Sequence, residues 1–194
     1  MSTLEAVKAL REKTGAGIVE VKKALDEAKG DEEAAIALLK KRGEAKALKR
    51  TDREAHEGII ANYVHSNGRV GVMLTLLCET DFVARNDEFQ ALGRDLAMHV
   101  AAMSPLYLAP EDVPADVVAK ERVIWEEQVK GEGKPAEIAE KILAGKEKKL
   151  REELALLSQP FVKDPSKTVA ELITESIHRI GEKVQVGKFV RYEI

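Results

Sequence analysis

Two strand-like segments joined by an Asn-Gly turn restrict this chain to folds that contain an antiparallel sheet. Residues 58–65 are strand-like, residues 66–69 (Ser-Asn-Gly-Arg) form the turn, and an almost unbroken apolar run extends from Val70 to Cys78. Asn-Gly between two apolar segments is the strongest short-range signal of a hairpin. The apolar run is typical of a central strand that is buried on both faces. A further strand is expected near the C-terminus, over residues 184–192.

Helical periodicity dominates the rest of the sequence. The first 43 residues predict three short helices, separated by breaks at residues 15–17 (Gly-Ala-Gly) and 30–31 (Gly-Asp), because glycine adopts backbone angles that other residues avoid. Residues 44–55 are charged and weakly periodic, as expected of a linker. Residues 56–194 predict a small three-stranded antiparallel sheet covered by helices, together with an antiparallel helical hairpin. The predicted fold class is α+β, with a three-helix N-terminal domain (1–43), a linker (44–55) and a core domain (56–194).

The predicted sheet has one face without an obvious cover. A three-stranded sheet presents two faces and two edges, and the available helices cover only one of those faces. An uncovered face or edge is suited to pairing with a second copy of the same chain. The core domain is therefore the expected place of any pairing between two copies of the chain.

Composition argues against several functional classes. The chain has 194 residues, a net charge of −3 and only 4% aromatic residues, so no general positive field attracts nucleic acid or an anionic membrane. A local basic excess over residues 40–53 is better explained by a helix end and a solvated linker. No segment resembles a signal peptide or a membrane span. Cys78 is the single cysteine, which fits a reducing cytoplasm and leaves an intermolecular disulfide open.

Enzymatic chemistry is not indicated by any motif. The four histidines have no mutual metal-ligand spacing, and Cys78 has no base near it in sequence. Residues 181–189 come nearest to a phosphate-binding loop, but their glycines are too far apart and Phe189 stands where Ser or Thr would bind magnesium. The sequence thus predicts a protein that is not an enzyme and that holds no metal, cofactor or nucleotide.

The segment from Glu79 to Asp87 is the strongest candidate site. It lies between the apolar run and an amphipathic helix that is predicted to start near Glu88. Thr80 and Asp81 suit a helix N-cap or a turn, because their side-chain oxygens accept hydrogen bonds from backbone N–H groups. The next two residues, Phe and Val, do not suit a polar loop. They either pack into the core, which composition alone favours, or are displayed for a partner.

Residues 80–84, Thr-Asp-Phe-Val-Ala, closely resemble the signature of the elongation factor Ts family. Members of that family are nucleotide exchange factors of the translational GTPase EF-Tu. Four further segments resemble the family in the same order along the chain, at residues 10–25, 97–102, 133–141 and 159–169. The resemblance therefore covers nearly the whole sequence.

The resemblance implies roles for particular residues. Insertion beside the magnesium site of EF-Tu is implied for Thr80, Asp81, Phe82 and Val83, with Phe82 as an apolar wedge. Contact with the GTPase from a ubiquitin-associated-like N-terminal domain is implied for Ile18, Val19 and Lys22. Partner contact is also implied for His99 and Val162, with core packing as the alternative for both.

Long members of the family carry two cores in one chain, whereas this sequence has room for one. The Thr-Asp-Phe-Val segment runs almost directly into Met-His-Val-Ala-Ala at residues 98–102. The resemblance is thus to a short, single-core form, and it implies a homodimer. The implied partner is EF-Tu, in its GDP-bound and nucleotide-free forms. Binding to a membrane, or directly to nucleic acid, is not implied. The alternative is a non-catalytic adaptor that binds proteins through its N-terminal helical domain.

Overall fold

The computed structural model describes residues 4–48, 50, 52–131 and 135–194. The helices are α1 (Leu4–Thr14), α2 (Ile18–Glu27), α3 (Glu32–Leu48), α4 (Asp81–Ala84), α5 (Asp87–Met103), α6 (Ala115–Gly131), α7 (Ala136–Leu154) and α8 (Val169–Ile180). The strands are β1 (Glu57–Val64), β2 (Val70–Cys78), β3 (Pro160–Phe161), β4 (Asp164–Thr168) and β5 (Gln185–Glu193). Lys49 of the basic segment and residues 132–134, where the sequence predicts a chain break and part of one family-like segment, lie outside the described residues.

The α+β class predicted from the sequence is confirmed. Strands β1, β2 and β5 form an antiparallel sheet in the order β1-β2-β5, and β3 pairs with β4 in a small antiparallel ladder. The hairpin β1–β2 surrounds the Asn-Gly turn, and β2 has the bounds predicted from the apolar run. The prediction that β2 is central is also confirmed.

The prediction that β2 is buried on both faces is wrong. Val72 and Leu74 are buried, whereas Met73 between them is 50% exposed, because successive side chains of a strand point to opposite faces. Helix α5 lies against the buried face, where a Cβ added to Gly93 would be 3.0 Å from the side chain of Ala61. The apolar run therefore supplies side chains to both faces of the sheet, of which one is covered by a helix and the other is not.

The chain divides into two compact units. Unit 1 comprises Met1–Ala61, Leu74–Asp95 and Glu171–Gly187, and unit 2 comprises Asn62–Met73, Leu96–Ala170 and Lys188–Ile194. The domain boundaries expected from the sequence, at residues 43 and 55, stay a prediction.

The N-terminal helices of unit 1 enclose a small core of their own. This core consists of Val7, Leu10, Ala16, Val21, Ala24, Leu25, Ala35 and Leu39. The turn between α1 and α2 needs a glycine, since Gly15 has φ +66° and a Cβ there would collide with the side chain of Arg179 in α8. The bundle is tied to α8 by an ion pair between Lys40 Nζ and Glu171 Oε1 at 2.6 Å. Helix α3 ends at Leu48, so the first residues of the predicted linker are helical.

Unit 2 contains the predicted helical hairpin, formed by α6 and α7. An ion pair joins the two helices, with Arg122 Nη2 2.9 Å from Glu140 Oε1. The far end of α7 is held by Arg151, whose guanidinium donates to the backbone carbonyl of Val113 at 2.8 Å. Two neighbouring helices of this length bury a shared apolar seam and expose charged faces.

Candidate functional site

A single turn of helix follows β2 directly and displays the candidate segment. Thr80 is the N-cap of α4, with an extended backbone (φ −128°, ψ 154°), and its side-chain oxygen accepts from the backbone N–H of Val83 at 3.4 Å. The sequence predicted a turn or a helix N-cap at Thr80 and Asp81, and of the two Thr80 is the cap while Asp81 is the first residue of α4. The hydroxyl satisfies one of the N–H groups that the first turn of a helix leaves without a partner.

Phe82 points into solvent. Its side chain is 82% exposed, so core packing, which composition favoured, is wrong for this residue. Ala84 is buried and Val83 is partly buried, so the turn is anchored on one side and presents Phe82 on the other. Asp81 lies beside it and is paired with Arg85, whose Nη2 is 3.0 Å from Asp81 Oδ2. The turn thus presents an aromatic ring next to a carboxylate.

The carboxylate of Glu182 holds the start of this turn. Its Oε2 accepts the backbone N–H of Thr80 at 3.0 Å and that of Glu79 at 3.1 Å, and its Oε1 accepts the hydroxyl of Thr80 at 2.7 Å. The Glu79 carboxylate in turn accepts the backbone N–H of Lys183 at 2.6 Å. Hydrogen bonds to a charged carboxylate are shorter and stronger than those between neutral groups, so the segment after α8 and the segment after β2 fix each other.

Cys78 completes the hydrogen bonding around Thr80. Its thiol, fully buried at the end of β2, donates to the carbonyl of Thr80 at 3.2 Å. Burial, and after it the nearby charge of Glu182, raises the pKa of the Cys78 thiol to about 11. A buried thiol with this pKa stays protonated and serves as a donor.

The exposed face of α2 carries the N-terminal candidate residues. Ile18 is 54% exposed and Val19 is 81% exposed. Lys22, one turn further, is also exposed, and all three line a shallow depression together with Lys23 and Asp26. A helix face with two exposed aliphatic side chains and flanking charges is a suitable surface for a protein contact.

His99 and Val162 form one connected feature of unit 2. The ring of His99 is fully buried, its Nδ1 accepts the backbone N–H of Val162 at 3.1 Å, and its Nε2 lies 3.0 Å from Oε1 of Gln159. Burial lowers the pKa of His99, and the hydrogen bond to Gln159 opposes that shift. Val162 is 37% exposed and lines a groove with Tyr63 and Met98. A fully buried ring offers no surface of its own, so His99 acts on this groove through Val162.

Among residues 4–48, 50, 52–131 and 135–194, no three His, Cys, Asp or Glu side chains are placed to hold a metal ion. In the parts of the chain that the structure describes, no helix has both the length and the apolar character needed to cross a membrane.

Comparison with known proteins gives the family. The profile described as "Elongation factor TS" matches residues 3–194. The chain is 53% identical over 194 residues to elongation factor Ts of Thermosipho melanesiensis, covering 100% of this chain and 99% of the relative. It is 52% identical over 191 residues to elongation factor Ts of Rubrobacter xylanophilus, covering 98% of each. The chain belongs to the elongation factor Ts family.

Membership makes this chain a translation elongation factor, as the resemblance of its sequence implied. In this member of the family, residues 80–83 form one structural feature, and Ile18, Val19 and Lys22 line another.

Sequence reasoning missed Glu182. This residue lies 102 positions from Thr80 along the chain and falls in the segment rejected as a phosphate-binding loop. No local pattern reveals such a contact, because an isolated glutamate after a helix is usually solvated.

Proposed function

We propose that this chain is a guanine nucleotide exchange factor for the translational GTPase EF-Tu. It promotes GDP release by inserting the turn formed by residues 80–83 near the magnesium and phosphate site of the GTPase. The observation that carries the proposal is Phe82, an aromatic side chain that is 82% exposed on a turn held at its base by Glu182. A large exposed aromatic at a fixed position is suited to be the anchor of an interface.

The proposed mechanism is a shift of binding equilibria and breaks no covalent bond. An exchange factor that binds nucleotide-free EF-Tu more tightly than the GDP-bound form weakens GDP binding by the same factor, because the two affinities are linked. The protein therefore needs no metal, cofactor or catalytic group of its own. Its proposed place of action is the cytoplasm, where EF-Tu works.

Within the turn, each residue has a distinct proposed role. Phe82 is the apolar wedge that displaces a neighbouring element of the GTPase. Asp81 places a negative charge beside the magnesium and phosphate site, where that charge weakens the binding of GDP. Its pairing with Arg85 is exposed on both sides, so the pair separates at little cost when a partner approaches. Thr80 shapes the turn, and the partly buried Val83 supports it.

The second proposed contact uses the N-terminal domain. Ile18 and Val19 supply apolar area, and Lys22 supplies a positive charge at its margin. This face is proposed to bind the nucleotide domain of EF-Tu. Val162 is proposed as a further contact, with His99 as the buried residue that holds it in place.

The sheet supports the proposal of a homodimer. On its uncovered face Met73 is 50% exposed and Val64 is 66% exposed. A Cβ built on Gly71 would lie 4.0 Å from Val64 Cγ2, which brings β1 and β2 side by side on this face. Two such faces packed together would exclude water from all of these side chains. No direct contact with nucleic acid is proposed.

Release of fluorescent GDP from EF-Tu, followed by stopped flow, tests the exchange function. We expect the protein to accelerate release and Phe82→Ala to reduce this acceleration by about one to two orders of magnitude, as for a buried anchor worth ~2–4 kcal/mol. The melting temperature should stay nearly unchanged, because the ring is 82% exposed in the free protein.

Leu106→Ala is the matched control, since Leu106 is also a large exposed apolar residue, at 65%. It should leave the acceleration unchanged. If the folded wild-type protein does not accelerate GDP release, the exchange function is wrong.

The adaptor alternative remains because α2 exposes two neighbouring aliphatic side chains, Ile18 and Val19. An adaptor would bind its partner through this face and make no use of Phe82. In that case Phe82→Ala would leave both binding and the partner's nucleotide release unaltered.

A further inference from the structure

We propose that Glu182 is a positioning residue, which holds the turn of residues 80–83 in its binding-competent form before a partner arrives. The inference rests on the proposed exchange function and deepens it. Glu182 does not contact the partner in this account. It acts through Thr80 on the orientation of Phe82.

Every polar group of Thr80 is engaged in the free protein. The carboxylate of Glu182 accepts both its N–H and its hydroxyl, at 3.0 Å and 2.7 Å. The thiol of Cys78 donates to its carbonyl at 3.2 Å. Thr80, the N-cap of α4, is therefore fixed both by Glu182, which lies 102 residues away, and by Cys78, which lies two residues before it.

The fixation is mutual. While Glu182 accepts the N–H groups of Glu79 and Thr80, Glu79 accepts the N–H of Lys183 at 2.6 Å. Glu182 itself follows Gly181, whose φ of +89° turns the chain out of α8 and suits glycine. Two carboxylates thus satisfy backbone groups that neither the sheet nor the helix can satisfy.

Helix α4 depends on this support because it has only four residues. An isolated helical turn is unstable in water, since one hydrogen bond does not offset the ordering of the turn. Phe82 makes little packing contact that could orient its ring, being 82% exposed. The position of the Phe82 ring is therefore set by the position of the backbone at Thr80. The apparent affinity of a turn that is ordered only part of the time equals its intrinsic affinity multiplied by the fraction of molecules in which the turn is ordered.

Two variants of Glu182 separate positioning from the action of Phe82. In Glu182→Ala, we expect the half-saturation concentration for GDP release from EF-Tu to rise about tenfold, while the rate at saturation stays near wild type. Phe82→Ala should instead lower the rate at saturation. Glu182→Gln should recover most of the affinity, because its amide oxygen accepts the two N–H groups and its NH₂ group donates to the Thr80 hydroxyl oxygen. Glu127→Ala removes the same charge from an exposed position in α6 and is the control.

Amide hydrogen exchange of the free protein gives a readout that does not depend on EF-Tu. The N–H groups of Thr80 and Val83 should exchange at least tenfold faster in Glu182→Ala than in wild type, and Glu127→Ala should not change them. Unchanged protection in Glu182→Ala overturns the proposal, and so does an unchanged half-saturation concentration. A loss of the saturated rate equal to that of Phe82→Ala also overturns it. If wild type fails to accelerate GDP release but Glu182→Ala still loosens these amides, the positioning stands and the exchange function fails.

Discussion

The backbone N–H of Val162 donates to Nδ1 of His99 at 3.1 Å, which joins a fully buried ring to a partly exposed apolar side chain. This bond decides the tautomer of the ring. Since Nδ1 accepts, the single proton of the neutral ring lies on Nε2, which donates to Oε1 of Gln159 at 3.0 Å. Protonation of Nδ1 would leave the N–H of Val162 facing another donor.

Acidification is therefore expected to destabilise the fold through His99. Burial lowers its pKa below the ordinary value of 6.5, so the native ring is neutral while the unfolded ring takes up a proton below pH 6.5. The contribution of the neutral His99 ring to the free energy of unfolding is complete above pH 6.5 and is lost as the pH falls through the pKa of the ring in the native protein. The free energy of unfolding of wild type should decrease more steeply from pH 7 to pH 5 than that of His99→Gln.

His65→Gln is the control for this measurement, because His65 is exposed in the hairpin turn. Its pH dependence should match that of wild type. Equal slopes for wild type and His99→Gln would contradict the expectation. An NMR spectrum of the ring nitrogens at pH 7 should show the proton on Nε2.

Alkaline conditions should weaken the fold through Cys78. Its pKa is raised from 9.0 to about 11 by burial, with the charge of Glu182 as the second cause. The contribution of the protonated Cys78 thiol to the free energy of unfolding is present below pH 9.0. It falls as the thiol of the unfolded chain ionises, and it is lost above about pH 11. The difference in unfolding free energy between wild type and Cys78→Ala should shrink by about 2 kcal/mol from pH 8 to pH 11. A constant difference over this range would mean that the Cys78 thiol ionises as easily in the native protein as in the unfolded chain, which would contradict the expectation.

The α2 face is expected to contribute to affinity and not to folding. Val19→Ser should raise the half-saturation concentration for GDP release from EF-Tu about tenfold, as for an apolar interface residue worth more than about 1 kcal/mol. Its melting temperature should stay close to wild type, because Val19 is 81% exposed in the free protein. Val123→Ser makes the same change on α6, where Val123 is 60% exposed, and should alter neither quantity. Equal effects of the two variants on exchange would remove the special role of α2.

The uncovered sheet face is expected to hold two copies together. Light scattering of wild type should give twice the chain mass of 21.4 kDa, whereas Met73→Lys should give a single chain, because a buried lysine ammonium without a partner is costly. Ile124→Lys is the control, since Ile124 is equally exposed, at 50%, but lies on α6. A Met73→Lys protein that keeps the doubled mass would place the interface elsewhere.

Local signals in the sequence account for several elements of this fold, although α4, β3 and β4 were not among those predicted. The Asn-Gly pair and the apolar run predicted the hairpin and the bounds of β2, because turn chemistry and strand formation depend on residues next to each other. The N-cap role of Thr80 follows for the same reason, since a hydroxyl bonds an N–H three residues away. The period of apolar residues predicted the helical hairpin, because burying one stripe of each helix requires that spacing.

Contacts between distant residues were decided by the tertiary structure alone. The same apolar run that located β2 suggested two buried faces, and Met73 is half exposed because the described helices leave that face uncovered. Whether Phe82 packs inward or points outward depends on how the segment after β2 is held, and Glu182, 102 residues from Thr80, holds it. His99 meets Val162 across 63 residues. The sequence pattern shows which residues of each element are buried, because burial follows the period of the helix or strand. The energy of a buried hydrogen bond depends instead on which elements are brought together. That arrangement arises only when the whole chain has folded.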